Sequence, residues 1–196
     1  MFIQIIQGKV KDPELLQRQH ERWQQELKSG ATGYLGSTGG ITPDGRSIMI
    51  VRFDSEDAAQ ANSERSEQGA WWNETEKAFD GEVTFKNSTK VDLLLGGGSN
   101  DAGFVQVMQG RAKDEEQMRS TMNEVEGQLR ESRPDVIGIL VAWHGNNEFT
   151  QAVYFTSEEA ARQGEQSTQG DEIDQDFADL MDGELTFIDL PEPALD

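Results

Sequence analysis

Phe2-Ile3-Gln4-Ile5-Ile6-Gln7-Gly8-Lys9-Val10-Lys11-Asp12 returns as Phe104-Val105-Gln106-Val107-Met108-Gln109-Gly110-Arg111-Ala112-Lys113-Asp114, 102 residues further along the chain. The same offset matches Val51-Arg52-Phe53-Asp54-Ser55 with Val153-Tyr154-Phe155-Thr156-Ser157, and Asp80-Gly81-Glu82-Val83-Thr84-Phe85 with Asp182-Gly183-Glu184-Leu185-Thr186-Phe187. Three blocks in one register mark a duplication, and a repeat sets the unit of folding. Between the copies lies Gly96-Gly97-Gly98-Ser99-Asn100-Asp101-Ala102-Gly103, which has the composition of a flexible connector. It carries neither the Lys-Ser/Thr of a P-loop nor the G-x-G-x-x-G spacing, so it reads as a linker. The chain divides into a first repeat over 1–95, a linker over 96–103 and an acidic second repeat over 104–196.

Each repeat reads as strand, helix, strand, strand, helix, strand. In the first, residues 2–7 are β-rich, and Asp12-Pro13-Glu14 supplies an N-cap, a proline at the first helical position and an acid in the first turn. The helix carries Leu16, His20, Trp23 and Leu27 on one stripe and stops near Ser29-Gly30. Strands over 33–41 and 47–53 flank the turn Thr42-Pro43-Asp44-Gly45. A second helix starts at Ser55-Glu56-Asp57, is interrupted near Gly69 and runs on through Trp71 to Phe79. Residues 82–94 supply the last strand. The second repeat has the cap at Asp114, the turn Gly145-Asn146-Asn147, the cap at Ser157 and a strand near 184–190. The order β-α-β-β-α-β predicts an α+β chain of two tandem ferredoxin-like halves, each an antiparallel sheet with its helices on one face. In the first strand Ile3 and Ile5 share one face and Phe2, Gln4 and Ile6 the other. Both faces therefore need cover, and packing the halves sheet to sheet would supply it.

The 196 residues hold 17 Lys+Arg against 37 Asp+Glu, a net charge of −20. That balance excludes binding to a nucleic-acid backbone. No apolar run is long enough for a membrane span, and the start lacks a basic and apolar leader pattern, so the expected compartment is the cytoplasm. No cysteine and two histidines leave little for a metal site. Charge is uneven: residues 1–102 hold 11 basic and 16 acidic groups, residues 103–196 hold 6 and 21. The acidic run Gly170-Asp171-Glu172-Ile173-Asp174-Gln175-Asp176 reads as the start of an amphipathic helix.

A duplicated β-α-β-β-α-β half of about a hundred residues resembles the dimeric α/β-barrel superfamily, in particular its antibiotic-biosynthesis-monooxygenase-like branch. The resemblance implies two halves paired as a barrel within one chain. Its members include cofactor-independent monooxygenases of aromatic polyketides, haem-degrading enzymes and proteins without known activity. No motif of the family aligns residue by residue, so no catalytic assignment carries over.

Duplication supplies an internal control, because scaffold positions keep their character in both copies. His20, Trp23 and Leu16 correspond to Met122, Val125 and Met118. An imidazole on a helix face aimed at the sheet suits a general base. Arg52, matched by Tyr154, suits an anion or phenolate. Trp23 and Trp71 (matched by Ile173) offer flat surfaces to a ring, and Trp72 (matched by Asp174) caps an opening or meets a partner. Gln4 and Gln106, kept in both copies, bond each other or line a cavity, and Gln4 with Tyr34 completes the substrate-binding set. His144 stands at a turn and reads as exposed. The leading expectation is a cofactor-independent, monooxygenase-like enzyme for a small aromatic molecule, with its pocket in the first half, His20 as base and Arg52 as anion holder. The alternatives are a non-catalytic binding or stress-related scaffold, then a haem-binding or haem-degrading protein. A cavity of roughly 300 Å³ or more separates enzyme from scaffold. Self-association beyond the internal pair is a further expectation.

Overall fold

A computed structural model describes residues 1–168 and 172–196; the side chains of 168 and 172–174 lie outside the described part. The side chains of the counterparts Ile173 and Asp174, and residues 170 and 171 of the acidic run, therefore fall outside it; the backbone from Glu172 to Leu180 is a helix.

The first repeat folds as β1 (Phe2–Val10), α1 (Pro13–Arg22), β2 (Tyr34–Ile41), β3 (Arg46–Phe53), α2 (Glu56–Ser63), α3 (Ser66–Thr75) and β4 (Phe79–Ser88). After one residue, Thr89, comes β5 (Lys90–Leu94). The second repeat follows as β6 (Phe104–Arg111), α4 (Glu115–Ser132), β7 (Val136–Trp143), β8 (Glu148–Phe155), α5 (Glu158–Thr168), α6 (Glu172–Leu180), β9 (Thr186–Leu190) and β10 (Ala194–Leu195). The caps form where the sequence places them. Asp12 accepts from Leu15 N at 2.9 Å, Ser55 from Ala58 N at 3.2 Å, Asp114 from Gln117 N at 2.9 Å and Ser157 from Ala160 N at 3.2 Å.

Two five-stranded antiparallel sheets result, ordered β10-β2-β3-β1-β4 and β5-β7-β8-β6-β9. The 102-residue offset holds down to the register: Ile5 pairs with Ile50 and Lys86, Val107 with Ala152 and Ile188. It extends to the edges, where Ala194 pairs with Gly39 and Asp92 with Val141. Ile3, Ile5, Ile48 and Ile50, on the face away from the helices, are buried, as are Val105, Val107, Leu140 and Ala152.

Three expectations need correction. The strand expected over 82–94 is two strands: β4 stays in the first sheet and β5 is the edge of the second. Reciprocally, β10 is the edge of the first sheet, so the compact units are Met1–Thr89 with Ala194–Asp196, and Lys90–Pro193. The break in the second helix of the first repeat falls at Glu64-Arg65, with Gly69 inside α3. Arg65 leaves the helical conformation and ties the corner through Leu27 O (3.2 Å) and Asn62 Oδ1 (2.9 Å). The glycine-rich linker is tied down, with Gly97 N donating to Leu94 O and Gly103 N to Phe155 O, both at 3.0 Å.

Where β2 and β7 begin, a bulge opposite β3 and β8 carries Gly36 and Gly138. A Cβ on Gly36, at φ +129°, would collide with the main-chain oxygen of Asp196, and one on Gly138 with that of Gly97. Both glycines thus clear the path of an incoming chain segment.

Candidate functional site

In the second unit, the space between helices and sheet is hollow. A cavity of about 370 Å³ lies over β6, β7 and β8, under the α4 stripe Met118, Met122, Val125 and Leu129, with Phe177 and Met181 from the α6 side. Gln106, Met108, Gln151, Val153 and Phe155 form its sheet wall, and Phe187 stands exposed at its edge. Of the six methionines in the chain, four (Met108, Met118, Met122, Met181) line this space. Thioethers adapt to the shape of a guest and pack well on ring edges.

The polar lining is sparse. Gln106 donates to Asp189 at 2.9 Å, and Arg133 is held by two bonds to Asp135 at 3.0 and 2.8 Å. Glu165 faces Arg162 at 3.3 Å. Gln151 also lines the cavity, and its side-chain amide has no hydrogen-bond partner among the described residues, so that amide can both donate to and accept from a guest. Neither His20 nor His144 lines the cavity, so an imidazole-ligated haem finds no ligand there. Among the described residues no group of His, Asp and Glu is placed to hold a metal ion.

In the first unit the equivalent positions carry larger and more polar side chains. Trp23 replaces Val125 and packs edge-on against Tyr34, which replaces Val136, with ring centroids 4.9 Å apart. Leu27, Ala31 and Trp71 complete this cluster. Trp23 Nε1 donates to Gln68 at 3.0 Å and Trp71 Nε1 to Gln19 O at 2.8 Å. Asp196 stands where the second unit has Leu94. Tyr34 donates to Asp196 Oδ2 at 2.9 Å and lies 2.9 Å from Ser37 Oγ, while Lys28 pairs with Asp196 Oδ1. Burial, assisted by Asp196, pushes the Tyr34 phenol far above its ordinary value. For Asp196, burial acts upward, but the bonds from Lys28 and Tyr34 and the Lys28 charge outweigh it and hold the carboxyl below its usual range. Burial lowers the His20 pKa, against the opposing pull of Asp196 and Glu21. His20 Nε2 lies 3.3 Å from Gln24 Nε2.

His20, Trp23, Tyr34 and Trp71 thus gather in the first unit, but around Asp196 and packed rings. Arg52 does not join them from the helix side. It pairs with Ile3, and antiparallel partners share a face, so Arg52 lies on the face away from the helices. From there its Nη2 reaches the main-chain oxygen of Asp196 at 3.1 Å. Trp72 turns from Trp71 towards β4 and meets Phe85 at 5.2 Å and Phe79 at 6.5 Å, so both indoles are half-buried against different neighbours. Gln4 and Gln106 do not bond each other; Gln4 donates to Asn87 at 3.2 Å and Gln106 to Asp189, equivalent partners on neighbouring strands. His144 is half-buried, with Nε2 3.2 Å from Thr150 Oγ1. Sequence reasoning missed Gln151, Glu165 and the methionine wall in the second unit, and Lys28, Ser37 and Asp196 in the first. The signal available was volume: wherever one copy carries Trp or Tyr and the other Val, the second copy has room.

No family model matches the chain and no curated protein matches it. Solved structures share its fold. A candidate monooxygenase from Lactobacillus acidophilus NCFM superposes with a TM-score of 0.73 at 11% identity, over 99% of this chain and 98% of that one. An anthrone oxidase-like protein gives 0.66 at 10% identity, over 99% and 92%. A ferredoxin-fold protein from Listeria monocytogenes 4b F2365, related to antibiotic biosynthesis monooxygenases, gives 0.51 at 13% identity, over 98% and 95%. The chain resembles these monooxygenase-like ferredoxin-fold proteins along its whole length, as a tandem of two such halves. At these identities the likeness is one of fold.

Proposed function

We propose that the protein binds a flat, largely apolar small molecule in the second-unit cavity and oxidises it with molecular oxygen. The observation that carries the binding is the 370 Å³ space walled by methionine and phenylalanine, with the unpaired Gln151 amide in its floor. Its size falls within the usual range of ligand sites, about 300–1,000 Å³. The reaction class rests on the fold and on what the structural neighbours are named for. An anthrone-type substrate illustrates the chemistry. Its ring methylene gives up two hydrogens and gains one oxygen atom of O2, and the other oxygen leaves as water. Glu165, the carboxylate of the lining, takes the first proton; Gln151 donates to the substrate oxygen as it becomes negative.

The test places the first copy's side chain into the second. Val125→Trp fills the cavity with the indole that the first unit accommodates as Trp23. Oxygen uptake and quinone formation with anthrone should be saturable in the wild type and fall at least tenfold in Val125→Trp, with the circular dichroism spectrum preserved. Glu165→Gln should lower turnover by about 10²-fold with little effect on binding. Uptake unchanged in Val125→Trp removes the cavity from the reaction. The absence of an imidazole from the lining favours one other reading, a non-catalytic carrier, which saturable binding without oxygen uptake would identify.

A further inference from the structure

In the first unit, the Asp196 carboxylate is the hub of a polar cluster drawn from three elements. Lys28 and Tyr34 donate to its two oxygens, and its main chain exchanges hydrogen bonds with Ser37 at 2.9 and 3.0 Å. The second copy shows that the fold does without this cluster. At the 102-residue offset Asp196, Tyr34 and Ser37 become Leu94, Val136 and Ile139, all buried. Lys28 becomes Arg130, which pairs with Glu126 of its own helix at 3.5 Å. Local backbone differs as well: α4 runs unbroken, whereas α1 gives way at Trp23–Leu27 to a wider π turn, in which Lys28 N donates to Trp23 O. Such turns are frequent at functional positions. The Lys28–Asp196 pair is only partly buried, and the second copy fills the positions of Asp196, Tyr34 and Ser37 with apolar side chains, so the scaffold does not require the retained charges.

The hub also arrives on the slightest strand of the fold. β10 contributes two residues and two register pairs, against five for its counterpart β5. We propose that Lys28, Tyr34 and Ser37 form a binding site for the carboxylate of a small aromatic acid, a site that Asp196 occupies in cis and that opens when β10 leaves β2. Lys28 supplies the charge. Tyr34, whose buried phenol stays protonated, supplies a fixed donor. Trp23, packed beside Tyr34, gives the acid's ring an apolar neighbour once β10 has left. This site and the second-unit cavity differ in charge and in position, so neither depends on the other.

Sodium benzoate is the probe, read by thermal unfolding and indole fluorescence with sodium chloride at matched ionic strength as control. Asp196→Ala should lower the unfolding midpoint. Benzoate should restore it in a saturable way, with half-effect at least tenfold below that for the wild type, and chloride should not. Adding Lys28→Met to Asp196→Ala should remove the benzoate effect. Benzoate that acts no better than chloride in folded Asp196→Ala, or equally well without Lys28, overturns the proposal. Should the alanine variant fail to fold, Asp196→Asn keeps the shape without the charge. Tighter benzoate binding than wild type in that variant supports the site, and no binding overturns it.

Discussion

His20 shows how one side chain reads differently once its surroundings are known. Burial holds its folded pKa below its ordinary value. Stability from the neutral ring is therefore fully present above pH 6.5 or so and is lost as pH falls through the lowered value. Asp196, held below its usual range, contributes stability that is present above about pH 4 and is lost on further acidification. The unfolding midpoint should thus decline in two stages on acidification. His20→Met, which installs the residue of the second copy, should remove the upper stage and leave the lower; a wild-type-like upper stage in that variant would show that another group titrates there. The helix stripe and the copy comparison single out His20, Trp23 and Trp71, but neither places Tyr34 against Trp23. The hollow was not legible, because a large aromatic side chain is compatible with a pocket wall and with a packed core alike. A ring that packs fills space, and the position to examine was the valine opposite each ring in the other copy. Asp196 was illegible for a different reason: it comes from beyond the repeat it serves.

Elements follow their local signals well wherever a cap, a turn or an alternation decides the matter. All four helix caps named above lie on residues that the sequence marks, and the strand registers of the two copies superimpose position by position. The signals fail at Thr89, where a β-rich run continues through Asn87-Ser88 with neither Gly nor Pro to stop it while the chain changes sheets. What holds β5 at its new edge is side-chain chemistry: Arg119 grips both oxygens of Asp92 at 2.7 Å, and Trp143 Nε1 donates to one of them at 2.7 Å. Asp92→Ala strands a half-buried guanidinium and an indole donor, and should cost about 2–4 kcal/mol by chemical denaturation. At the opposite edge, Gly36→Ala meets both a positive φ and the Asp196 main chain, and should cost about 1–3 kcal/mol. A cost under about 0.5 kcal/mol at Gly36 would mean that β10 adds little to the first unit.

For the whole molecule, the sequence repeat and the folded unit are different divisions of one chain. Each sheet is completed by a strand encoded with the other copy. Fragments 1–95 and 104–196, produced separately, should each unfold at lower denaturant than the full chain, the first without its Asp196 hub and the second without its Asp92 clamp. Mixing them in equal amounts should recover part of the loss. Fragments as stable as the intact chain would show the exchanged strands to be dispensable. The duplication itself was legible because one offset runs through every block; the exchange was not, because pairing partners are a property of edges and the two exchanged strands, β5 and β10, are only five and two residues long.

A fold assembled from two identical chains must accept every substitution twice, once on each side of its axis. A single gene that spells both copies is released from that rule. Tryptophan at 23 and valine at 125 can then coexist, so one copy is free to drift towards solidity while its sibling stays hospitable. Mutational scanning would see the inheritance divided: enlarging residues around Val125 should be tolerated by the fold and punished by the guest of the second-unit cavity, while shrinking Trp23 should weaken the fold and leave that guest indifferent.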